Sequence, residues 1–390
     1  MNKFVKKIFL PILALLLLAS CSDFFNDAKK SASAPIVVPP NPDFTITVPA
    51  GTERGIVRAD KTTAKEGQSV SLEISINSGY ELILLDVVDA NGSFVTLEGS
   101  GTERTFKMPA QNVEVKPVIV AFAATGEYKD EGTNLVSFGL WPQTKKAAGL
   151  AVYERVSKNA GCFTYCRGDD GQWYSKFKDE WFKVERVFWR VLETDSSGQK
   201  FLLAEKILYA KAFNSSINTM YYKDSDIRKW LNGNSSSGSA SDYGGEPGFL
   251  QTAFTADEQK SIVDTSVAND EASTLPVEFD TFTDENKKSW VPNGYDTEPT
   301  TDKIFLLSIN EATSPGYLFG HYDDKIAKRV KTPVDFCAKE EGARAGQWSL
   351  RSPASKQHVN QIQIVFWDGT IVMSGVTATH GVVPALRVKN

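Results

Sequence analysis

Residues 70–76 read Val70-Ser71-Leu72-Glu73-Ile74-Ser75-Ile76, with an apolar side chain at every second position. Period two marks a strand that buries one face and wets the other. The alternation returns at Val113-Glu114-Val115-Lys116. Turn signals surround these runs, at Glu66-Gly67, Asn77-Ser78-Gly79, Asn91-Gly92 and Gly99-Ser100-Gly101. No helical periodicity of useful length interrupts them, so residues 43–121 are expected to form a small all-β domain.

Moving outward toward the N-terminus, Lys3, Lys6 and Lys7 precede an apolar run from Ile8 to Ala19. A bilayer of about 30 Å needs about 20 apolar residues, so this run is too short to span and reads as a signal peptide. Leu18-Ala19-Ser20-Cys21 resembles the lipobox of bacterial lipoproteins. That resemblance implies cleavage after residue 20, acylation at Cys21, and several acyl chains that together hold the protein to a membrane. Residues 21–42 are small, polar and proline-rich, ending in Pro39, Pro40 and Pro42. They cannot bury enough apolar surface to offset their ordering entropy, and they read as a disordered tether. The expected location is the bacterial cell envelope, at the outer membrane or cell surface, with the membrane a partner through the N-terminal lipid.

The whole chain has 390 residues, 41% hydrophobic and 23% charged, with a formal net charge of −5. This composition excludes wholesale disorder, a collagen-like fibre and a polytopic membrane protein. The acidic balance argues against nucleic acid held on a basic surface.

All eight tryptophans lie beyond residue 126, so a second, aromatic-rich core is expected there. Residues 122–134, with Gly126, Asp130, Glu131 and Gly132, read as a mobile joint. Residues 135–390 then form the second domain. Val187–Leu192 and Phe201–Ala204 flank a polar turn and predict a hairpin. Asp224–Gly233 predicts a short helix capped by an acid or Ser225 and stopped by Gly233. Thr255 with Glu258, and Ser308 with Glu311, spell capping boxes for two more helices. Thr332-Pro333 is expected to open a fourth, ending at Gly342 and placing Cys337 on a buried face. Helices among antiparallel strands predict an α+β domain. Two polar stretches, 234–248 and 268–301, read as long loops or insertions.

Residues Gly67–Leu72, Gly79-Tyr80 and Thr105–Val113 resemble the divergent internalin B-type bacterial surface repeat. Such repeats serve as stalks or adhesive modules without catalytic residues. From Val136 to Val388 the order of motifs resembles the bacterial domain of unknown function 6273. The carriers are Phe138–Gln143, Trp189–Leu192, Leu203–Leu208, Ser225–Gly233, Asp302–Ser308, Trp348–Pro353, Asp368-Gly369 and Gly381–Leu386. That family is distantly similar to the C-type-lectin-like fold of formylglycine-generating enzymes. The likeness implies a β-core with helices and a loop-rich binding face, and does not imply their activity.

The residues argue against the common chemistries. No Cys follows Cys337, whereas the oxidases of that fold use a late thiol pair. Cys162, Cys166 and Cys337 with His321, His358 and His380 lack the spacing of a zinc site, so no metal and no cofactor are expected. A local disulfide between Cys162 and Cys166 suits an exported protein. No G-x-S-x-G, P-loop or H-E-x-x-H occurs. Asp224 and Asp226 read as a helix cap, and Asp169-Asp170 as a turn. Glu246-Pro247-Gly248, Glu298-Pro299-Thr300 and Trp367-Asp368-Gly369 depart from the calcium-lectin signatures. No catalytic residue is assigned.

The reading is therefore a non-catalytic, membrane-anchored surface lipoprotein: lipid, tether, β-stalk and a lectin-like head for adhesion or recognition of a protein or glycan. The alternatives are an envelope enzyme of unassigned chemistry, or a variable binding protein of a diversity-generating retroelement. The ligand face is expected between Ser355 and His380. Its candidates are Lys356, His358, Asn360, Gln361, Gln363, Phe366, Trp367, Thr377, Thr379 and His380. Large aromatics with polar neighbours suit a binding hot spot, because rigid rings lose little entropy on immobilisation.

Overall fold

A computed structural model describes residues 42–132, 134–217, 220–235, 243, 245–270, 272–276, 298–339, 346–354, 358 and 360–389. Within the compact unit Asp43–Asn390 the apolar side chains gather into two separate cores. Among the described residues no helix is long and apolar enough to cross a membrane.

The first core is built by eight strands: β1 (Asp43–Thr47), β2 (Gly55–Ala59), β3 (Thr63–Lys65), β4 (Ser69–Ile76), β5 (Tyr80–Asp89), β6 (Leu97–Glu98), β7 (Glu103–Lys107) and β8 (Val113–Ala121). They form two four-stranded sheets, in the orders β3-β1-β8-β5 and β2-β4-β7-β6. The period-two run is β4, with Val70, Leu72 and Ile74 buried and Ser71, Glu73 and Ser75 exposed. Val113 and Val115 of β8 point into the same core, against Ile46, Val57, Val87, Phe106 and Met108. Burying each such side chain is worth about 1.5–3 kcal/mol.

The rest of the unit carries β9 (Lys129–Gly132), β10 (Leu135–Lys145), β11 (Val152–Ala160), β12 (Phe163–Gly168), β13 (Trp173–Phe177), β14 (Glu180–Thr194), β15 (Lys200–Ala204) and β16 (Tyr209–Ala212). It continues with β17 (Thr265–Val267), β18 (Thr300–Asp302), β19 (Ile304–Phe305), β20 (Trp348–Pro353), β21 (Gln361–Val365), β22 (Ile371–Gly375), β23 (Thr379–Val382) and β24 (Ala385–Val388). The main sheet runs β11-β12-β13-β14-β15-β24-β19, with β10 also paired to β14 and β9 to β10. A second sheet runs β16-β23-β20-β21-β22, and β17 pairs with β18. The expected hairpin is β14–β15, closed by Asp195, whose carboxylate accepts from the Ser197 and Gln199 backbone N–H groups. Three fully buried indoles anchor the core. The Nε1–H of Trp141 donates to Leu208 O, that of Trp189 to Phe138 O, and that of Trp348 to Arg329 O.

The expectation of an α+β second domain is overturned. Among the described residues strand accounts for 47% and helix for 11%. The helix at Asp226–Asn232 forms as read, with the Ser225 side chain accepting from Arg228 N and Gly233 ending it at φ 56°. A side chain at Gly233 would collide with Gly248 N, so only glycine fits this stop. Both capping boxes also form, Thr255 with Glu258 and Ser308 with Glu311. Each opens only a single turn, Glu258–Ser261 and Ile309–Ala312. A cap satisfies the first amides, but without an apolar stripe to bury nothing carries the helix further. Thr332-Pro333 opens no helix. Pro333 bridges Ile207 in parallel, and Cys337–Lys339 is one 3-10 turn. The C-type-lectin-like architecture falls with the α+β reading, because it was expected to set helices among the strands.

The two sets of strands meet along β11, β12 and β13. Arg167, buried, donates from Nη2 to Glu81 (2.6 Å) and to Ala121 O (3.1 Å) while its guanidinium lies over Trp173. Arg155 pairs with Asp86 through both guanidinium nitrogens. Along the stretch between them, Arg186 donates to Thr125 O and Glu127 O, and Ser137 donates to Glu131 (2.6 Å).

Candidate functional site

Several of the most distinctive motif residues turn out to be architectural. Arg228 lies buried against Asp302, Nε donating to both carboxylate oxygens (2.8 and 3.1 Å). Asn232 donates to Ile304 O and accepts from the Lys303 and Ile304 amides, fastening its helix to β19. Arg351 reaches Leu306 O, Ala268 O and Glu311, and buried Arg329 clamps the carbonyls of Ala312, Gly320, His321 and Asp324. Charges this deeply placed, each bonded several times, organise loops.

The face expected between Ser355 and His380 is divided. Trp367 is 57% exposed and Phe366 half-buried, their rings 5.7 Å apart. Val372 and Met373 stand exposed on β22, opposite Ile364 and Gln363 in register. Gln361, His358 and Thr379 are half-buried, and Thr377 is exposed. Gln363 and His380, however, are buried, and His380 Nε2 lies 2.7 Å from Ser374 Oγ. β21 is covered on both faces, since Ile362, Gln363, Ile364 and Val365 are all buried. Asn360 takes φ 65° and receives the Val376 amide, a turn position that suits Asn. Lys356 lies outside the described residues, as does Cys21.

The cysteines do not form the disulfide their spacing allowed. Cys162 and Cys166 are not bonded to each other. Cys162 precedes β12 and Cys166 lies within it, and at about 3.3 Å per strand residue their Cα atoms stand beyond the roughly 7 Å that a bridge tolerates. Burial pushes the Cys166 thiol up, away from the reactive thiolate.

An open cleft of about 660 Å³ lies elsewhere, lined by residues from four separate segments. β10 contributes Leu135, and β14 contributes Phe188, Arg190, Val191 and Leu192. Glu205 and Lys206 follow β15, and the far wall is Tyr317, Leu318 and Lys328. Local backbone features aim these side chains. The β14–β15 register slips between Val191 and Glu193, which lets Val191 and Leu192 both face the cleft. Leu318 adopts φ 63° at the end of the 3-10 turn Pro315–Tyr317 and is 64% exposed. A branched apolar residue held left-handed and presented to solvent is a costly arrangement, of the kind that gathers at binding sites. Phe188 is likewise 44% exposed.

The polar part of the cleft centres on Glu205, which accepts from Arg190 Nε (2.6 Å) and Nη2 (3.1 Å). Behind it the buried Lys331 ammonium sits 3.8 Å from the same carboxylate. Burial, reinforced by Arg190 and opposed by Glu205, lowers the Lys331 amine to about 8. Burial and Glu193 together push the Tyr317 hydroxyl up to about 12, so it stays protonated. The arrangement can hold a ligand that is polar at one end and apolar along its length. Sequence reasoning passed over this cleft. Its signal was present, because Arg190, Glu205 and Lys206 stand within two of the motifs, but nothing in the sequence showed that those motifs meet.

No curated protein and no solved structure matches the chain. Residues 197–390 match the family model described as Domain of unknown function (DUF6273). The motifs Phe138–Gln143 and Trp189–Leu192 lie before the matched span, which includes Glu205, Lys206, Tyr317, Leu318, Lys328 and Lys331. The C-terminal part of this chain, from residue 197, is therefore similar to that family of unknown function.

Proposed function

We propose that this chain is a non-catalytic envelope lipoprotein that recognises a ligand through the cleft at Phe188, Arg190 and Leu318. The cleft itself carries the reading, because it is preformed and presents exposed apolar side chains beside fixed charges. Its size falls within the roughly 300–1,000 Å³ of small-molecule and glycan-sized sites. Glu205 is engaged by Arg190 and faced by Lys331, an arrangement that holds position rather than one that moves protons. In this reading Cys21 is acylated, residues 21–42 are a spacer, and the strands of the first core extend the reach of the second.

The test is a binding screen of the full chain, immobilised and challenged with envelope polymers, glycans and extracellular proteins. A retained ligand should be lost at least about tenfold in Phe188→Ala and Leu318→Gly, with thermal stability kept. Retention equal to wild type in both variants, or turnover of any screened polymer, would refute the reading. For the tether, Cys21→Ala should abolish detergent-phase partitioning, and a variant that still partitions would remove the lipid from the account.

A further inference from the structure

We infer that the cleft's ligand is an organic anion, a carboxylate carried on a body with an apolar face. This rests on the recognition reading above and adds the chemistry of the ligand.

The first ground is charge. The chain is acidic overall, at −5. Its lining reverses that sign, with Arg190, Lys206 and Lys328 against the carboxylate of Glu205, while behind the lining Lys331 is matched by Glu193, which Tyr317 contacts and Arg387 pairs. A positive recess in an acidic protein concentrates anions.

The second ground is unused valence. Arg190 spends Nε and Nη2 on Glu205, and among the described residues its Nη1 has no partner. Lys206 and Lys328 are exposed and make no ion pair among the described residues. The acid on the lining is already shared between Arg190 and Lys331, and Glu193 beyond Tyr317 is paired with Arg387, so neither is committed to the lysines at the rim. A planar guanidinium edge beside mobile ammonium groups suits a carboxylate.

The third ground is the wall. Leu135, Phe188, Val191, Leu192, Tyr317 and Leu318 offer far more apolar surface than a bare inorganic ion would cover. An anion with no apolar body would leave Phe188 and Leu318 as exposed as they are now. A sugar acid, with its C–H face on Phe188, and an aryl or acyl acid share the required chemistry.

The experiment is calorimetric titration of the full chain with two acids and their neutral twins. The pairs are trigalacturonate with its methyl ester, and 4-phenylbutyrate with 4-phenylbutanol. One acid should bind at least about tenfold more tightly than its twin, weaken on raising salt from about 50 to about 300 mM, and lose about tenfold again in the Lys206→Gln, Lys328→Gln double variant. Which acid binds names the source, saccharide or aryl. The inference is overturned if acid and twin bind alike, if the double variant binds as wild type, or if neither acid binds at millimolar concentration. A neutral twin that binds as well as its acid, and is lost in Phe188→Ala, would sink the anion while leaving the recognition reading intact.

Discussion

Asp302 offers the sharpest test of how the second core is held. Its carboxylate is fully buried and accepts from Arg228 Nε, Tyr243 Oη (2.8 Å) and Thr300 Oγ1 (2.7 Å). Arg228 is also committed to Lys223 O and lies over the Tyr243 ring, so it cannot swing out to water. Asp302→Ala therefore strands a buried cation, removes the acceptor of the Thr300 hydroxyl and leaves the Tyr243 hydroxyl to Thr301 O (2.6 Å). Breaking such a pair from one side costs about 3–5 kcal/mol. With an unfolding entropy near 2 cal/mol/K per residue, a cooperative unit of about 350 residues turns that into a melting shift of roughly 4–7 °C. Chemical denaturation of wild type, Asp302→Ala, Arg228→Met and the double variant measures both the cost and the coupling. The double variant should be less destabilised than the two single costs added together, because the second substitution removes the charge that the first strands. A single-site loss below about 1 kcal/mol, or strict additivity, would mean that the pair is incidental and that β18 is held by other contacts.

Lys331→Met should raise stability at pH 7 by about 1–3 kcal/mol, because it removes an ammonium whose burial is unfavourable. The folded amine titrates near 8, below the roughly 10.4 of an unfolded lysine, so the penalty is full below pH 8 and fades as pH rises toward 10.4. Urea melts at pH 7 and pH 10 should show the variant's advantage shrinking, and an advantage constant with pH would contradict the burial argument. Arg167→Ala should uncouple the two cores, since it removes the Glu81 bond, the Ala121 bond and the stacking on Trp173. Scanning calorimetry should then show two separated transitions where wild type shows one, and an unchanged profile would place the coupling elsewhere.

Much of the strand architecture was legible because period two and turn chemistry are local. β4 needed only Val70, Leu72 and Ile74, and the β14–β15 hairpin only two apolar runs around Asp195 to Gly198. The helices were overread for a related reason. Ser308 and Glu311 spell a helix start correctly, yet a start is not a length, and the apolar residues that would extend it are spent on strands. The polar residues of β21 misled differently. Gln363 looks like a solvent-facing position in an alternating run, but both faces of that strand are covered, so alternation carries no information there. The cleft was illegible altogether. It joins Leu135, Phe188, Glu205 and Leu318 across nearly two hundred residues. It also depends on a register slip and a left-handed leucine that no composition or spacing announces.

Gly171 sits in the β12–β13 turn at φ 81°, and a side chain there would come within 2.2 Å of Ala121 O at the end of β8. Small β-domains are commonly thought of as cassettes that recombination can move from one protein to another. This seam is not a neutral junction of that kind. A graft of the first eight strands onto a different partner would need a recipient with a bare backbone at the equivalent of Gly171 and a buried cation for Glu81. A graft of the second set onto a different first set would need an acid where Glu81 stands and a carbonyl left clear at the equivalent of Ala121. The two halves therefore constrain one another's inheritance, and chimeras built from this chain should keep residues 43–390 as one heritable block.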